Sequence, residues 1–120
     1  MNKANVLKSK SYSFAIRIVR LSQHLQNEKK EFVLSKQVLR SGTAIGALVR
    51  EAEYGQSKTD FIHKLSIALK EANETDYWIH ILKDANYIDE KSFTSLSSDC
   101  EELIKLLPTS IKTAKQNNKQ

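Results

Sequence analysis

A chain of 120 residues with three glycines and one proline is poor in the turn chemistry that hairpin-rich sandwiches and barrels consume, and its length fits one domain. Its single cysteine, Cys100, excludes an internal disulfide framework. With 19 Lys and Arg against 14 Asp and Glu the formal net charge is +5, which keeps an anionic partner, nucleic acid above all, in view.

In chain order, Phe14, Ile18, Leu21 and Leu25 recur at helical spacing and predict a first helix over residues 11–28. The polar run Asn27-Glu28-Lys29-Lys30 ends it. A second helix is predicted over 35–54, with Ser35 as its N-cap and a buried seam of Val38, Ser41, Ile45, Leu48 and Ala52. Gly55 then stands where a left-handed C-terminal residue is wanted, and Ser57, three before Asp60, caps the next helix. So short a link folds the second and third helices into an antiparallel hairpin.

The third helix is the longest, predicted over 58–85 with the seam Phe61, Leu65, Ala68, Ala72, Thr75, Ile79 and Leu82. Asp89 caps a fourth over 90–107 or slightly beyond, with Ile88 and Phe93 as a hydrophobic staple and Leu96, Cys100, Leu103 and Leu107 on the seam. Pro108 is expected to end or kink it, leaving a frayed tail at 115–120. The prediction is all-α: a single up-down-up-down antiparallel four-helix bundle. The N-terminal segment lacks the apolar core of a signal peptide. The apolar run Ala44–Val49 is far shorter than the roughly 20 residues that span a bilayer. A cytoplasmic protein without membrane contact is expected.

Little in the chain suggests catalysis. A carboxylate-bridged di-metal site needs Glu-x-x-His on two helices; here Asp60-Phe61-Ile62-His63 occurs once, and His24 and His80 have no acid three residues before them. No metal or cofactor is expected. Cys100 lies between Leu96 and Leu103 on the seam, where a small buried hydrophobe belongs. Gly42 and Gly46 form a small-x-x-x-small pair that suits close helix packing better than phosphate binding. With no catalytic constellation, the chain does not read as an enzyme.

Charge is more informative. Residues 1–56 hold ten Lys and Arg against four Asp and Glu, net +6, whereas residues 57–120 hold nine against ten, net −1. Lys10, Ser13, Arg17, Arg20 and His24 form one helical stripe, Lys36, Arg40, Thr43, Ala47, Arg50 and Tyr54 a second, and Lys29 and Lys30 lie between them. The cations Lys10, Arg17, Arg20, Lys29, Lys30, Lys36, Arg40 and Arg50 are therefore candidate contacts to an RNA or DNA backbone. Beside its seam the third helix carries Ile67, Glu71, Glu74, Trp78 and Ile81, a face that one core cannot bury as well; an exposed Trp78 and Ile81 would mark an interface between copies. Glu71 and Glu74 are placed to meet Arg40 or Arg50, within the chain or across a subunit boundary.

The run Arg40–Ala52, followed by Ser57-x-x-Asp60-Phe61 and Ile67-Ala68-Leu69-x-Glu71-x-x-Glu74-x-x-Tyr77-Trp78, closely resembles the family of the 23S ribosomal RNA intervening-sequence proteins. The close match covers about residues 37–88, and the flanking helices agree in pattern. The resemblance implies a left-handed up-down bundle and a homo-oligomer, commonly a pentameric ring. It also implies kinship with the accessory variability protein of diversity-generating retroelements, a basic ring that partners a reverse transcriptase and nucleic acid. The family has no agreed catalytic residues to carry over. Two functions follow as expectations: an oligomeric bundle that binds nucleic-acid backbone through its first two helices, or a homo-oligomeric scaffold for another protein, such as a reverse transcriptase.

Overall fold

A computed structural model describes residues 3–117, which form α1 (Lys3–Asn27), α2 (Leu34–Glu53), α3 (Lys58–Asp84) and α4 (Glu90–Asn117), with no strand among the described residues. Consecutive helices pack as antiparallel neighbours and α4 returns to α1, giving a four-helix bundle with extents of 52 × 23 × 22 Å. Its axis is a closed apolar column in which Phe14, Ile18, Leu25, Val38, Ile45, Leu65, Ile79, Leu82, Leu103 and Leu107 are buried.

Two helix ends and one seam position differ most from the sequence reading. α1 starts eight residues earlier than position 11, because Leu7 and Ser11 continue the seam backwards from Phe14 and both are buried. α4 runs through Pro108 to Asn117. Pro108 is exposed, with Leu107 before it and Ala114 beyond it both buried on the seam, so the missing N–H falls on the outer side of the helix. Residues 115–117 are thus helical, and 118–120 lie outside the described residues. On α2 the buried side chain is Val49, with Leu48 half-buried on the flank.

The links show what each turn requires. Ser57 is extended and its Oγ accepts the Asp60 N–H at 3.0 Å, as its spacing predicted. Asp89 Oδ1 accepts the Ser92 N–H at 2.7 Å, and these hydrogen bonds hold its carboxyl below the usual range. Ser35 is no N-cap. It is buried, receives hydrogen bonds from Ser22 Oγ on its carbonyl (3.1 Å) and from Gln26 Nε2 on its hydroxyl (3.3 Å), and so ties α2 to α1. The cap is Glu31, whose carboxylate accepts the N–H groups of Val33, Leu34 and Ser35 at 3.2, 3.0 and 2.7 Å. Gly55 is not left-handed either; among the described residues the positive-φ ones are Lys30 (54°) and Asn86 (67°), after α1 and α3. Gly55 instead leaves room for Asp60, whose Oδ2 lies 2.5 Å from where a Cβ would stand.

The two helical glycines set the spacing of α1 and α2. A Cβ on Gly42 would come within 2.7 Å of Ile18, and one on Gly46 within 3.2 Å of the Ser11 carbonyl oxygen. Thr75 on α3 is buried; its hydroxyl donates to the Glu71 carbonyl at 2.7 Å and lies within hydrogen-bond distance of Ser41 Oγ on α2, at 2.9 Å, so a polar group on the α2–α3 seam is satisfied.

Candidate nucleic-acid interface

α1 contains no carboxylate, so its cations find counter-charges only where folding brings other helices to them. Lys10 pairs with Glu102 at 3.1 Å and Lys8 with Glu53 at 3.0 Å. Arg17 is the most committed: Nη1 reaches Asp99 at 2.7 Å and the Ser95 carbonyl at 3.3 Å, while Nη2 meets Ser95 Oγ at 3.0 Å. Lys10 and Arg17 therefore reach across from α1 to α4.

The remaining candidates behave differently. Arg20, Lys29, Lys30, Lys36, Arg40 and Arg50 are exposed and pair with no carboxylate among the described residues. Antiparallel packing brings five of them, all but Arg50, to the end of the bundle where α1 passes into α2. Arg20, His24 and Lys29 also rim a shallow depression beside the α3–α4 link, with Asn86, Asp89 and Ser92 opposite. At this end Glu31 and Asp89 spend their carboxylates on backbone N–H groups, and Glu90 pairs with Lys83. Only Glu28 and Asp84 remain as exposed, unengaged acids there.

The two basic stripes do not merge into one strip. The α1 stripe leans toward α4, as the Arg17 and Lys10 pairs show. The α2 stripe borders a groove shared with α1, where Thr43, Ala47, Arg50 and Tyr54 line it together with Lys8, Tyr12 and Ala15. Tyr12 was not singled out by the sequence reading. Its signal was there: it lies off the Phe14–Ile18 seam and between two other off-seam positions, Lys8 and Ile16.

On α3, the five residues Ile67, Glu71, Glu74, Trp78 and Ile81 are all half-buried rather than exposed. Trp78 packs against the core and its Nε1 donates to Glu74 Oε2 at 3.2 Å. The open aromatic ring on this face is its neighbour Tyr77, set edge-on to it at 5.2 Å. Glu71 and Glu74 form no ion pair with Arg40 or Arg50 within the chain. Glu71 Oε1 and Asp76 Oδ1 are buried without a hydrogen-bond partner among the described residues, and burial raises the Asp76 carboxyl above its ordinary range.

Cys100 is as inert as its seam position implied. Burial first, then the nearby Asp76, Glu101 and Asp99, pushes its thiol up to about 12, and Sγ donates to the Ala72 carbonyl at 3.3 Å. His63 is exposed in the second turn of α3, and His80 leans back on its own helix, Nδ1 lying 2.8 Å from the Asp76 carbonyl. No helix among the described residues is long and apolar enough to cross a membrane.

The family of 23S rRNA-intervening sequence proteins matches residues 3–109. The chain belongs to that family. A crystal structure of a protein of unknown function from the S23 ribosomal protein family of Bacteroides thetaiotaomicron is 57% identical to this intervening-sequence protein. It superposes with a TM-score of 0.91 over 92% of this chain and 99% of that one. No curated protein matches the chain. The family match takes in α1 to α3 and most of α4, so the basic end and the α3 face both lie inside it.

Proposed function

We propose that this intervening-sequence protein is a non-enzymatic, oligomeric helical bundle that binds RNA or DNA backbone at the end where α1 passes into α2. One observation carries the reading: Arg20, Lys29, Lys30, Lys36 and Arg40 gather at that end without ion-pair partners, while Glu31 and Asp89 turn their carboxylates onto backbone N–H groups. Unpaired cations held on helix ends make contacts that ignore sequence, because a phosphate oxygen offers only charge and lone pairs. Lys10 and Arg17, already spent on α4, contribute to the fold rather than to this surface.

Self-association is the second part of the reading. The α3 face supports it: Ile67, Trp78 and Ile81 are left half-buried there, and Glu71 beside them keeps one oxygen without a hydrogen-bond donor among the described residues.

Binding of labelled RNA and of duplex DNA, measured by fluorescence anisotropy across a salt series, tests the first part. If about four phosphates are neutralised, the log–log slope is near −3 for single strands and nearer −4 for duplex. Arg20→Glu with Arg40→Glu is expected to weaken both at least tenfold. Unchanged affinity in that variant would remove the surface from this end, and absence of any binding would remove the function. Light scattering tests the second part: a monomer at high concentration is the result that defeats it.

A further inference from the structure

We infer that the groove between α1 and α2 takes a single-stranded RNA segment, stacking its bases on Tyr12 and Tyr54; this rests on the nucleic-acid reading above and gives it a substrate class. Both rings are unusually open for tyrosines of a small bundle, 59% and 75% exposed. They line the same groove, whose floor is made of the small side chains Ala15, Thr43 and Ala47 beside Gly46. Among the described residues neither ring's hydroxyl has a hydrogen-bond partner that would explain its place on the surface. A flat, exposed ring is a stacking platform for any base, since every base has a π-face.

The electrostatics of the groove favour a polyanion. Glu51, the carboxylate that lines the groove, is already engaged by Lys64 at 3.2 Å, and Lys8 on the α1 wall is held by Glu53 at 3.0 Å. Arg50 is the uncompensated charge of the lining. From Arg50 the α2 stripe continues through Arg40 to Lys36, so one helix face carries cations from the basic end to the tyrosines. From Lys36 to Tyr54 that face runs about 27 Å at 1.5 Å per residue. An extended strand can follow such a track with its backbone on Lys36, Arg40 and Arg50. A duplex keeps its bases stacked inside and offers the tyrosines nothing. RNA is the natural source of such strands, because its loops, bulges and ends leave bases unpaired.

The test compares a short unstructured oligoribonucleotide, its DNA counterpart and a DNA duplex on the full chain, with oligomer mass followed throughout. Tyr12→Ala and Tyr54→Ala are each expected to weaken the RNA strand about fivefold or more, with duplex affinity unchanged and Tyr→Phe at either site close to wild type. RNA binding that ignores both alanine variants overturns the stacking assignment. If duplex binding in that case still falls with Arg40→Glu, the backbone reading stands without it; if nothing binds at all, both fall. A change of oligomer mass in the tyrosine variants makes the groove a subunit interface and overturns the inference. A DNA strand bound tenfold more tightly than the RNA overturns the assignment to RNA.

Discussion

Glu31 shows how one side chain substitutes for the cap that the sequence pattern suggests elsewhere. Ser35 has the composition of an N-cap, yet its backbone N–H is the shortest of three that the Glu31 carboxylate receives, at 2.7 Å. Partial burial pushes the Glu31 carboxyl upward, but the hydrogen bonds from Leu34, Ser35 and Val33 outweigh it and leave it below its ordinary value. A carboxyl lowered by folding stabilises the native state fully above its unfolded value, and that stabilisation is lost as pH falls through the lower folded value. Glu31→Ala is therefore expected to cost about 1 kcal/mol at neutral pH, with the difference from wild type shrinking under acid conditions. Urea unfolding at neutral and acidic pH checks it, and a pH-independent difference would deny the charge a role. Nothing in the spacing marked Glu31, because it caps from outside the helix, three residues ahead of Leu34, across a link whose shape depends on left-handed Lys30.

At the scale of elements, the seams were legible because each helix repeats its apolar residues at the period of its own backbone, and Phe14, Ile45, Ile79 and Leu103 are buried as that period requires. Ends were less so. Leu7 extends α1 by a single apolar position, too little periodicity to see, and Pro108 is harmless only because its face is solvent, which depends on where α1 and α3 lie. Gly42 and Gly46 were legible as a packing device, and their geometry gives the device a direction. Alanine at Gly42 gains about 1 kcal/mol of helix propensity, but its Cβ would stand 2.7–3.1 Å from the Ile18 side-chain atoms Cγ2, Cγ1 and Cβ. Ile18 is fully buried and cannot turn away, so α1 and α2 must separate, at about 1–3 kcal/mol. Gly42→Ala is expected to lower the unfolding midpoint despite its better propensity. Gly55→Ala is expected to cost less, since its nearest obstacle is the movable end of Asp60 and the backbone oxygen of Ala52 stands farther off, at 3.2 Å. A stabilised Gly42→Ala protein would show that the helices are not held at this distance by the glycine.

Across the whole molecule, charge and packing are divided unequally. The +6 excess of the first 56 residues was visible in the sequence, but which of its charges stay free was not. Lys10 and Arg17 meet Glu102 and Asp99 across 92 and 82 residues of chain, and such pairings depend on the relative rotation of α1 and α4. Those pairs lie on the thinnest of the four helix–helix seams, whereas α2 and α3 share the most extensive one. Ion pairs with side chains as open as Arg17 and Asp99, 38% and 46% exposed, contribute little against water and salt. They orient α1 and α4 more than they bind them together. The α2–α3 hairpin carries the Thr75–Ser41 hydrogen bond and the deepest packing, so it should be the last part to open. Native-state hydrogen exchange is expected to show the slowest amides near Ser41, Ile45, Ala72 and Thr75. Central amides of α1 and α4 should exchange through a lower-energy opening, whose cost falls further in Arg17→Ala. If α1 and α4 amides instead proved as protected as those of the hairpin, the bundle would open only as a unit, and the α1–α4 seam would carry far more stability than its exposed pairs supply.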